Sequence, residues 1–375
     1  MYHVHSELKK IMKKKNITVA VGMSGGVDSS LAAVLLKKEG YKVIGLTMGI
    51  YSGEDNREKT SGHACYGPCE HEDIILAKEV ADFLGISHYT IDLKEEYRQT
   101  VLDYFTKEYL AGRTPNPCTR CNPIMKFGFM LDKARQAGIY FDLFATGHYA
   151  KVCYEEDRKR YVLKKALDSK KDQSYFLYGL KPDLLPSLLF PLGNLTKKEV
   201  WRRAEEEQLS VSARSESQDF IEGGDYSGLF DREQIKPGPI VDINGKKLGT
   251  HKGIINYTIG QRRGLGIAHN EPLYVLRIDP KKNTIVVGPK KHLFSDTLTA
   301  GQVNFLSIDR PESPLKIKAK IRQNHVEDHA VLIPLEDDKV KVVFDSPQLS
   351  IAPGQAVVFY DGDALLGGGI IEQRI

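Results

Sequence analysis

The segment VGMSGGVDSS, residues 21 to 30, constrains this chain more than any other, because it follows the apolar run ITVA directly and leads directly into the helical run SSLAAVLLKKEG. A β-branched run that turns through adjacent glycines straight into a helix is the strand–loop–helix junction of an α/β domain. Gly25 and Gly26 let the backbone turn tightly and approach an anion, and the N–H groups entering the helix at Ser29 and Ser30 point toward that anion along the helix dipole. Ser24 and Ser29 add hydroxyl donors, and Asp28 is placed to hold Mg²⁺ on bound phosphates. A Walker A loop would need GxxxxGK[ST], which is absent here.

The alternation continues through YKVIGLTMG, IILAKEVADFLG and SHYTIDL, with Gly40 and Gly85 where helix C-caps are expected, so a helix-covered parallel sheet is predicted. FDLFATGHY reads as a further buried strand that leaves Gly147 and His148 just past its end, where open parallel sheets place ligand contacts. Met48, at the end of the second strand, is a candidate to lie against adenine. From about residue 225 helical periodicity gives way to short β-rich runs separated by Gly, Asn, Asp and Pro. The expected division is an α/β catalytic domain over 1–220, a central β-rich domain over 221–292 and a small barrel or sandwich over 293–375. The Ser-, Gly- and charge-rich stretch from Tyr51 to Gly62 reads as a loop near the ligand face.

No apolar run approaches the roughly 20 residues that cross a bilayer, and the N-terminus has no apolar signal segment, so a cytoplasmic protein without a membrane partner is expected. Five cysteines in 375 residues argue against a secreted disulfide framework. A formal charge of +4 does not announce a nucleic-acid partner, and the run Lys9, Lys10, Lys13, Lys14, Lys15 reads first as a solvated helix.

SGGVDS after a strand is similar to the pyrophosphatase loop of enzymes that split ATP into AMP and pyrophosphate. The second informative segment is GRTPNPCTRCN, in which Cys118 and Cys121 form a C-x-x-C that can form a disulfide, carry a persulfide or ligate a metal. No second C-x-x-C follows at zinc-finger spacing. Cys65 and Cys69, in HACYGPCEHED, follow the second strand and could approach the same mouth of the sheet, whereas Cys153 reads as a strand packing residue. An ATP loop beside thiols suggests a division of labour: adenylation makes a carbonyl oxygen a good leaving group, and a sulfur nucleophile then displaces AMP.

With GMSGGVDSS, GRTPNP, ATGHYA, KDQSYFL, IGQRRGLG, PGQAVVFYDG and LGGGIIEQR in order, nearly the whole chain resembles the tRNA-specific 2-thiouridylase family. The resemblance implies an adenine-nucleotide hydrolase-like domain, a small central β domain and a C-terminal β-barrel. It implies ATP binding at Gly22, Met23, Ser24, Gly25, Gly26, Val27, Asp28, Ser29, Met48 and Gly147. Asn116, Pro117 and Cys118 would meet the target uridine, and His148, Lys171, Asp172, Gln173, Lys320, Ile321 and Gln355 would contact tRNA. Lys171 and Lys320 suit phosphates on chemical grounds as well. Family members usually read PNPDxxCN and carry a second cysteine in an ICFIGE-like segment; here Cys118 stands for the Asp, and Asp219 for that second Cys.

Catalytic roles therefore fall to Cys118, Cys121 and Asp219. Two sulfur routes follow. In one, a persulfide-carrying donor protein loads a persulfide on one thiol, whose terminal sulfur attacks the adenylated C2 while the other thiol resolves it as a disulfide with AMP leaving; inorganic sulfide is the alternative sulfur donor. In the other, Cys118 and Cys121 with Cys65 or Asp219 hold a [4Fe–4S] cluster whose open iron carries the sulfide. Two other classes compete. An ATP pyrophosphatase acting on a small metabolite would share SGGVDS without needing the C-x-x-C, and a non-catalytic RNA-binding module would not need the ATP loop.

Overall fold

The structure, a computed structural model, describes residues 14–53, 64–213, 219–221 and 226–375. Lys9, Lys10 and Lys13 and most of the Tyr51–Gly62 loop lie outside the described residues. So do Ser217, Gln218 and Glu222. Lys14 is described, and it pairs with Glu39 at 2.7 Å and stands 4.7 Å from the centre of the Tyr41 ring.

The chain divides into two compact units, the first made of the segments up to Arg98, 120–225 and 363–365, the second of 99–119, 226–362 and 366–375. In the first, β1 (Thr18–Gly22), β2 (Lys42–Gly49), β4 (Ser87–Asp92), β5 (Leu143–Thr146) and β8 (Leu188–Leu189) form a parallel sheet in the order β4-β2-β1-β5-β8. The chain winds outward to one side of β1 and then returns to its other side at β5. The switch point between β1 and β5 opens a crevice at the carboxyl ends of the strands, and the loops after Gly22 and Thr146 both end there.

Continuous apolar runs in the strands follow from burial on both faces. Val19 and Val21 of β1 share one core with Leu31 and Val34 of α1 (Val27–Lys38), Val80 and Leu84 of α2 (Glu70–Leu84) and Val200 and Ala204 of α3 (Lys197–Glu206). Gly85 ends α2 in the left-handed region, φ +61°, as expected of a C-capping glycine. Outside the main sheet, β3 (Ala64–Tyr66) pairs in parallel with β9 (Asp219–Ile221), and β6 (Ala150–Glu155) forms a hairpin with β7 (Arg160–Lys165).

In the second unit, β10 (Gly238–Val241), β11 (Lys247–His251), β12 (Tyr274–Asp279) and β13 (Thr284–Gly288) form the central sheet. The strands β14 (Phe294–Phe305), β15 (Leu315–Lys320), β16 (Asp328–Pro334), β17 (Val340–Leu349), β18 (Ala356–Asp361) and β19 (Ala364–Arg374) run in the order β14-β17-β16-β15-β18-β19, and β14 pairs with β19. That last pairing closes a six-stranded barrel, filled by Leu298, Ile317, Leu332, Val342, Phe359 and Ile371. Closure leaves the barrel without free edges.

Candidate functional site

The loop after β1 is held from behind. Met23 donates its N–H to Leu46 O at 2.8 Å, Thr47 Oγ1 donates to Met23 O at 2.8 Å, and His88 Nε2 lies 2.8 Å from Thr47 Oγ1. Because the threonine hydroxyl proton goes to the carbonyl, His88 Nε2 carries the proton donated to Thr47, and burial pushes this imidazole down toward its neutral form. Gly25 turns with φ +69°, and a Cβ there would stand 2.5 Å from Asp73 O. Gly26 is the N-cap of α1 and has no side chain to cap the first turn, which leaves that turn's N–H groups to an anion. Ser29 Oγ accepts the Ser24 N–H at 3.2 Å and lies 3.1 Å from Gly26 O, so the loop is wrapped around the helix start.

Gly147, after β5, closes the other side of the crevice. A Cβ at Gly147 would lie 2.7 Å from both Asp28 C and Ser29 N, so only glycine lets β5 approach the helix start this closely. Between these loops lies a cavity of about 360 Å³. Leu46, Met48 and Ile50 provide its apolar wall, Ser24, Gly26, Asp28 and Ser29 the end at the helix start, and His148, Lys171 and Gln173 a further side.

Several contributing residues carry no recognisable motif in sequence. Glu70 accepts the N–H groups of Ile50 and Tyr51 at 2.7 and 3.1 Å, fixing the end of β2, and burial pushes its carboxyl up against the lowering effect of those bonds. Asp28 is bonded to Lys197 and to the Tyr149 hydroxyl, the latter at 2.8 Å. Lys126 lines the cavity, and its ammonium lies 3.2 Å from Asn122 Oδ1.

His148 is buried, with Nδ1 2.7 Å from Thr146 Oγ1, and burial together with the Lys126 charge holds its pKa well below the ordinary value. Gln173 Oε1 accepts the Tyr149 N–H at 2.9 Å. Asp172 is buried and accepts from Ala166 N and Ser174 Oγ at 3.0 and 2.8 Å, so its carboxylate organises the KDQS turn that presents Lys171 and Gln173.

Two thiols face this cavity, Cys65 from β3 and Cys121 from the start of a π-helical segment, Cys121–Phe129. Cys65 is accessible from the open cleft yet surrounded by protein, and this desolvation pushes its thiol up, with Lys126 opposing. Cys121 is half-buried; burial pushes its thiol up to about 11, Lys126 opposes and the Cys65 charge adds to the rise. Cys118 falls in the second unit, where its N–H donates to Asn116 Oδ1 at 3.1 Å and Asn116 O accepts the Thr119 hydroxyl at 2.8 Å. Cys69 is buried at the start of α2, and Cys153 is half-buried in the β6–β7 hairpin. Asp219 begins β9, with its backbone opposite Ala64.

Of the remaining second-unit candidates, Lys320 ends β15 half-buried, and Ile321 is 2% exposed in the barrel core, which leaves its backbone alone to face a partner. Gln355 Nε2 donates to Thr114 O at 3.0 Å. Among the described residues no group of three or more His, Cys, Asp or Glu side chains is gathered to hold a metal ion. Lys197 holds both carboxylate oxygens of Asp28, so a Mg²⁺ ion there would share the carboxylate with that ammonium and take its other ligands from phosphate and water, as Mg²⁺ commonly does.

Comparison with known proteins agrees with this geometry. Residues 17–222 match the family model described as tRNA methyl transferase HUP domain, 229–289 the tRNA methyl transferase PRC-barrel domain, and 295–371 the aminomethyltransferase beta-barrel domain. The chain is 50% identical over 365 residues to tRNA-specific 2-thiouridylase MnmA 1 of Caldanaerobacter subterraneus subsp. tengcongensis, covering 96% of this chain and 99% of that one. It is 48% identical over 366 residues to tRNA-specific 2-thiouridylase MnmA of Acetivibrio thermocellus, covering 96% and 100%.

Proposed function

The chain belongs to the tRNA-specific 2-thiouridylase family, and we infer from that premise that the cavity of the first unit carries both halves of one reaction, ATP-dependent replacement of the C2 oxygen of a tRNA uridine by sulfur. It is a tRNA-uridine 2-sulfurtransferase. The observation that carries this reading is the presence in one cavity of a glycine- and serine-rich loop at a helix N-terminus, Ser24 to Ser29, and two thiols, Cys65 and Cys121. A metabolite-adenylating synthetase would have no use for those thiols, and an RNA-binding module no use for the loop.

In the first half, the uridine O2 attacks the α-phosphorus of ATP. The O–P bond forms and pyrophosphate leaves toward the Gly26 N-cap and the hydroxyls of Ser24 and Ser29, where fixed N–H and O–H donors favour the departing charge. Mg²⁺ held by Asp28 would offset the phosphate charge, and Met48 would contact the adenine. In the second half a sulfur nucleophile attacks C2 and AMP leaves with the C2–O electron pair. Cys118, Cys121 and Asp219 are the catalytic candidates, with Asn116, Pro117 and Cys118 at the target base.

We assign the tRNA body to His148, Lys171, Asp172 and Gln173 in the catalytic segment 1–220 and to Lys320, Ile321 and Gln355 in the barrel segment 293–375, joined by the central segment 221–292. Ile321 would act through its backbone, Asp172 through the turn it holds and Gln355 through the Thr114 loop it holds in place. The sulfur comes from a persulfide-carrying protein or inorganic sulfide. Among the described residues no helix is long and apolar enough to cross a membrane, and the cytoplasm, where tRNA is found, is the proposed location.

The test is pyrophosphate release from ATP with and without unmodified tRNA, followed by mass spectrometry of the tRNA nucleosides. Release that depends on tRNA and yields 2-thiouridine is expected. Release driven by glutamine or aspartate without tRNA would sink the reading. Iron and acid-labile sulfide assays on anaerobically isolated protein separate the persulfide route from a cluster route, since a colourless, fully active enzyme excludes the cluster.

A further inference from the structure

Sequence spacing directs attention to Cys118 and Cys121, but the thiol that shares a cavity with Cys121 is Cys65. Its support is firm. In the β3–β9 ladder Ala64 stands opposite Asp219 and Tyr66 opposite Ile221, and Ala64 and Tyr66 are both buried. The Tyr66 ring stacks on Tyr97 with centroids 5.6 Å apart and meets Tyr51 edge-on at 5.3 Å. Cys65, between two anchored neighbours, remains accessible at the cavity.

Cys121 reaches the same space from a segment anchored by the buried Met125 and Phe127, and that segment also delivers the Lys126 ammonium. Lys126 favours the thiolate of both cysteines, and the charge of Cys65 is felt at Cys121. Two thiols and a cation thus converge beside the loop that binds the nucleotide.

We propose, building on the sulfurtransferase reading above, that Cys65 and Cys121 are the working thiol pair, with Cys65 carrying the sulfur and Cys121 resolving it. Handover from a donor protein needs an accessible acceptor, which favours Cys65 over the half-buried Cys121. The Cys65 thiolate attacks the terminal sulfur of the donor persulfide; a new S–S bond forms and the donor cysteine leaves as thiolate. The terminal sulfur of the Cys65 persulfide attacks C2 of the adenylated uridine, forming C2–S as C2–O breaks and AMP departs. Cys121, its proton released to water, attacks the Cys65 sulfur. The bond to the base sulfur breaks, the base becomes a thiocarbonyl, and N3 recovers the proton it lost on adenylation. The two cysteines have supplied the two electrons that reduce the sulfane sulfur, and an external dithiol returns their disulfide to thiols. Cys118 takes no part in this electron flow.

The experiment supplies wild-type protein with ATP, unmodified tRNA and chemically prepared cysteine persulfide, withholds reductant, and maps disulfides by peptide mass spectrometry after one turnover. A Cys65–Cys121 disulfide is expected, and a Cys118–Cys121 disulfide would overturn the proposal. Cys65→Ser should lower 2-thiouridine formation about 100-fold or more while tRNA-dependent pyrophosphate release stays within about threefold. Cys65→Ala repeats the measurement if the serine variant does not fold. Full thiolation by a Cys65 variant overturns the proposal, as does iron and acid-labile sulfide in the wild type that the variant loses. Absence of tRNA-dependent pyrophosphate release from the wild type would instead remove the sulfurtransferase reading itself.

Discussion

Lys197 Nζ lies 2.8 Å from one carboxylate oxygen of Asp28 and 2.9 Å from the other, so the aspartate of the phosphate loop is gripped by a lysine 169 positions away. The grip is built in. Thr196 and Glu199 form a reciprocal capping box that fixes the first turn of α3, and Lys197 Nζ stands 4.9 Å from the centre of the Trp201 ring and 5.9 Å from that of Tyr149. Its place beside the helix-start end of the cavity makes Lys197 a positioning residue for Asp28. Lys197→Met should raise the KM for ATP about tenfold and, by leaving a half-buried carboxylate with only the Tyr149 hydroxyl, lower unfolding free energy by about 1–2 kcal/mol. Steady-state pyrophosphate release and urea unfolding read the two effects; an unchanged KM would detach Lys197 from the nucleotide site.

Gly147 supports a prediction of opposite character, one in which binding suffers more than folding. A methyl group there must displace Asp28 C and Ser29 N, each 2.7 Å away, and so move the helix start proposed to hold the ATP phosphates. Gly147→Ala should weaken ATP binding about 100-fold, measured by calorimetry, with a loss in urea stability of about 1–3 kcal/mol. Wild-type affinity in this variant would show that the helix start does not hold the phosphates.

The Cys121 thiol, pushed up to about 11 by burial, is largely protonated at neutral pH. Its alkylation by iodoacetamide, followed peptide by peptide, should rise about tenfold per pH unit from 8 to 10, without the plateau near 9 expected of an open thiol. Because Lys126 opposes the shift, Lys126→Gln should slow the reaction further at pH 8. A faster reaction in that variant would reverse the assigned sign of the Lys126 effect.

His148 links pH to stability. Its folded pKa is depressed well below 6.5 by burial, so above 6.5 both the folded and unfolded chains carry it neutral, and below 6.5 only the unfolded chain takes the proton readily. Its contribution is therefore whole well above pH 6.5 and is progressively lost as pH falls below it. Urea unfolding of wild type and His148→Gln over this range should show a shallower pH dependence in the variant. Parallel curves would mean that the imidazole titrates normally.

The sheet was legible in the sequence because a buried parallel strand must be apolar throughout, and ITVAVG and FDLFAT each meet that demand within a few residues. The strand–glycine–helix junction was legible because glycine, hydroxyl and helix N-terminus must be contiguous there. The thiol pair was legible only in part, since Cys65 was expected near the mouth of the sheet but not as the redox partner of Cys121. C-x-x-C proximity links Cys118 to Cys121 along the chain, whereas Cys65 reaches the cavity through strand pairing between residues more than 150 positions apart, Ala64 and Asp219. Lys197 and Lys126 escaped notice for a related reason, since a lysine in a helix reads as a solvated charge until a carboxylate or a thiol is folded against it. Ile321 and Gln355, implied as tRNA contacts by resemblance, have side chains engaged within the second unit.

That engagement of Gln355 carries the last prediction. Its Nε2 donates to Thr114 O at 3.0 Å, Thr114 N donates to Pro353 O at 2.8 Å, and a Cβ on Gly354, φ +93°, would stand 2.8 Å from Thr114 N. The barrel turn thus clasps the loop GRTPNPC at its threonine, with the fit depending on glycine's access to positive φ. A residue that only touched tRNA would, on removal, weaken tRNA binding and change its salt dependence. A residue that holds the loop at the target base would instead lower turnover with affinity preserved. Gln355→Leu should reduce single-turnover thiolation about tenfold while the Kd for tRNA and its salt slope change less than about twofold, and Gly354→Ala should do more of the same. A weakened Kd with normal single-turnover thiolation would assign Gln355 to direct tRNA contact.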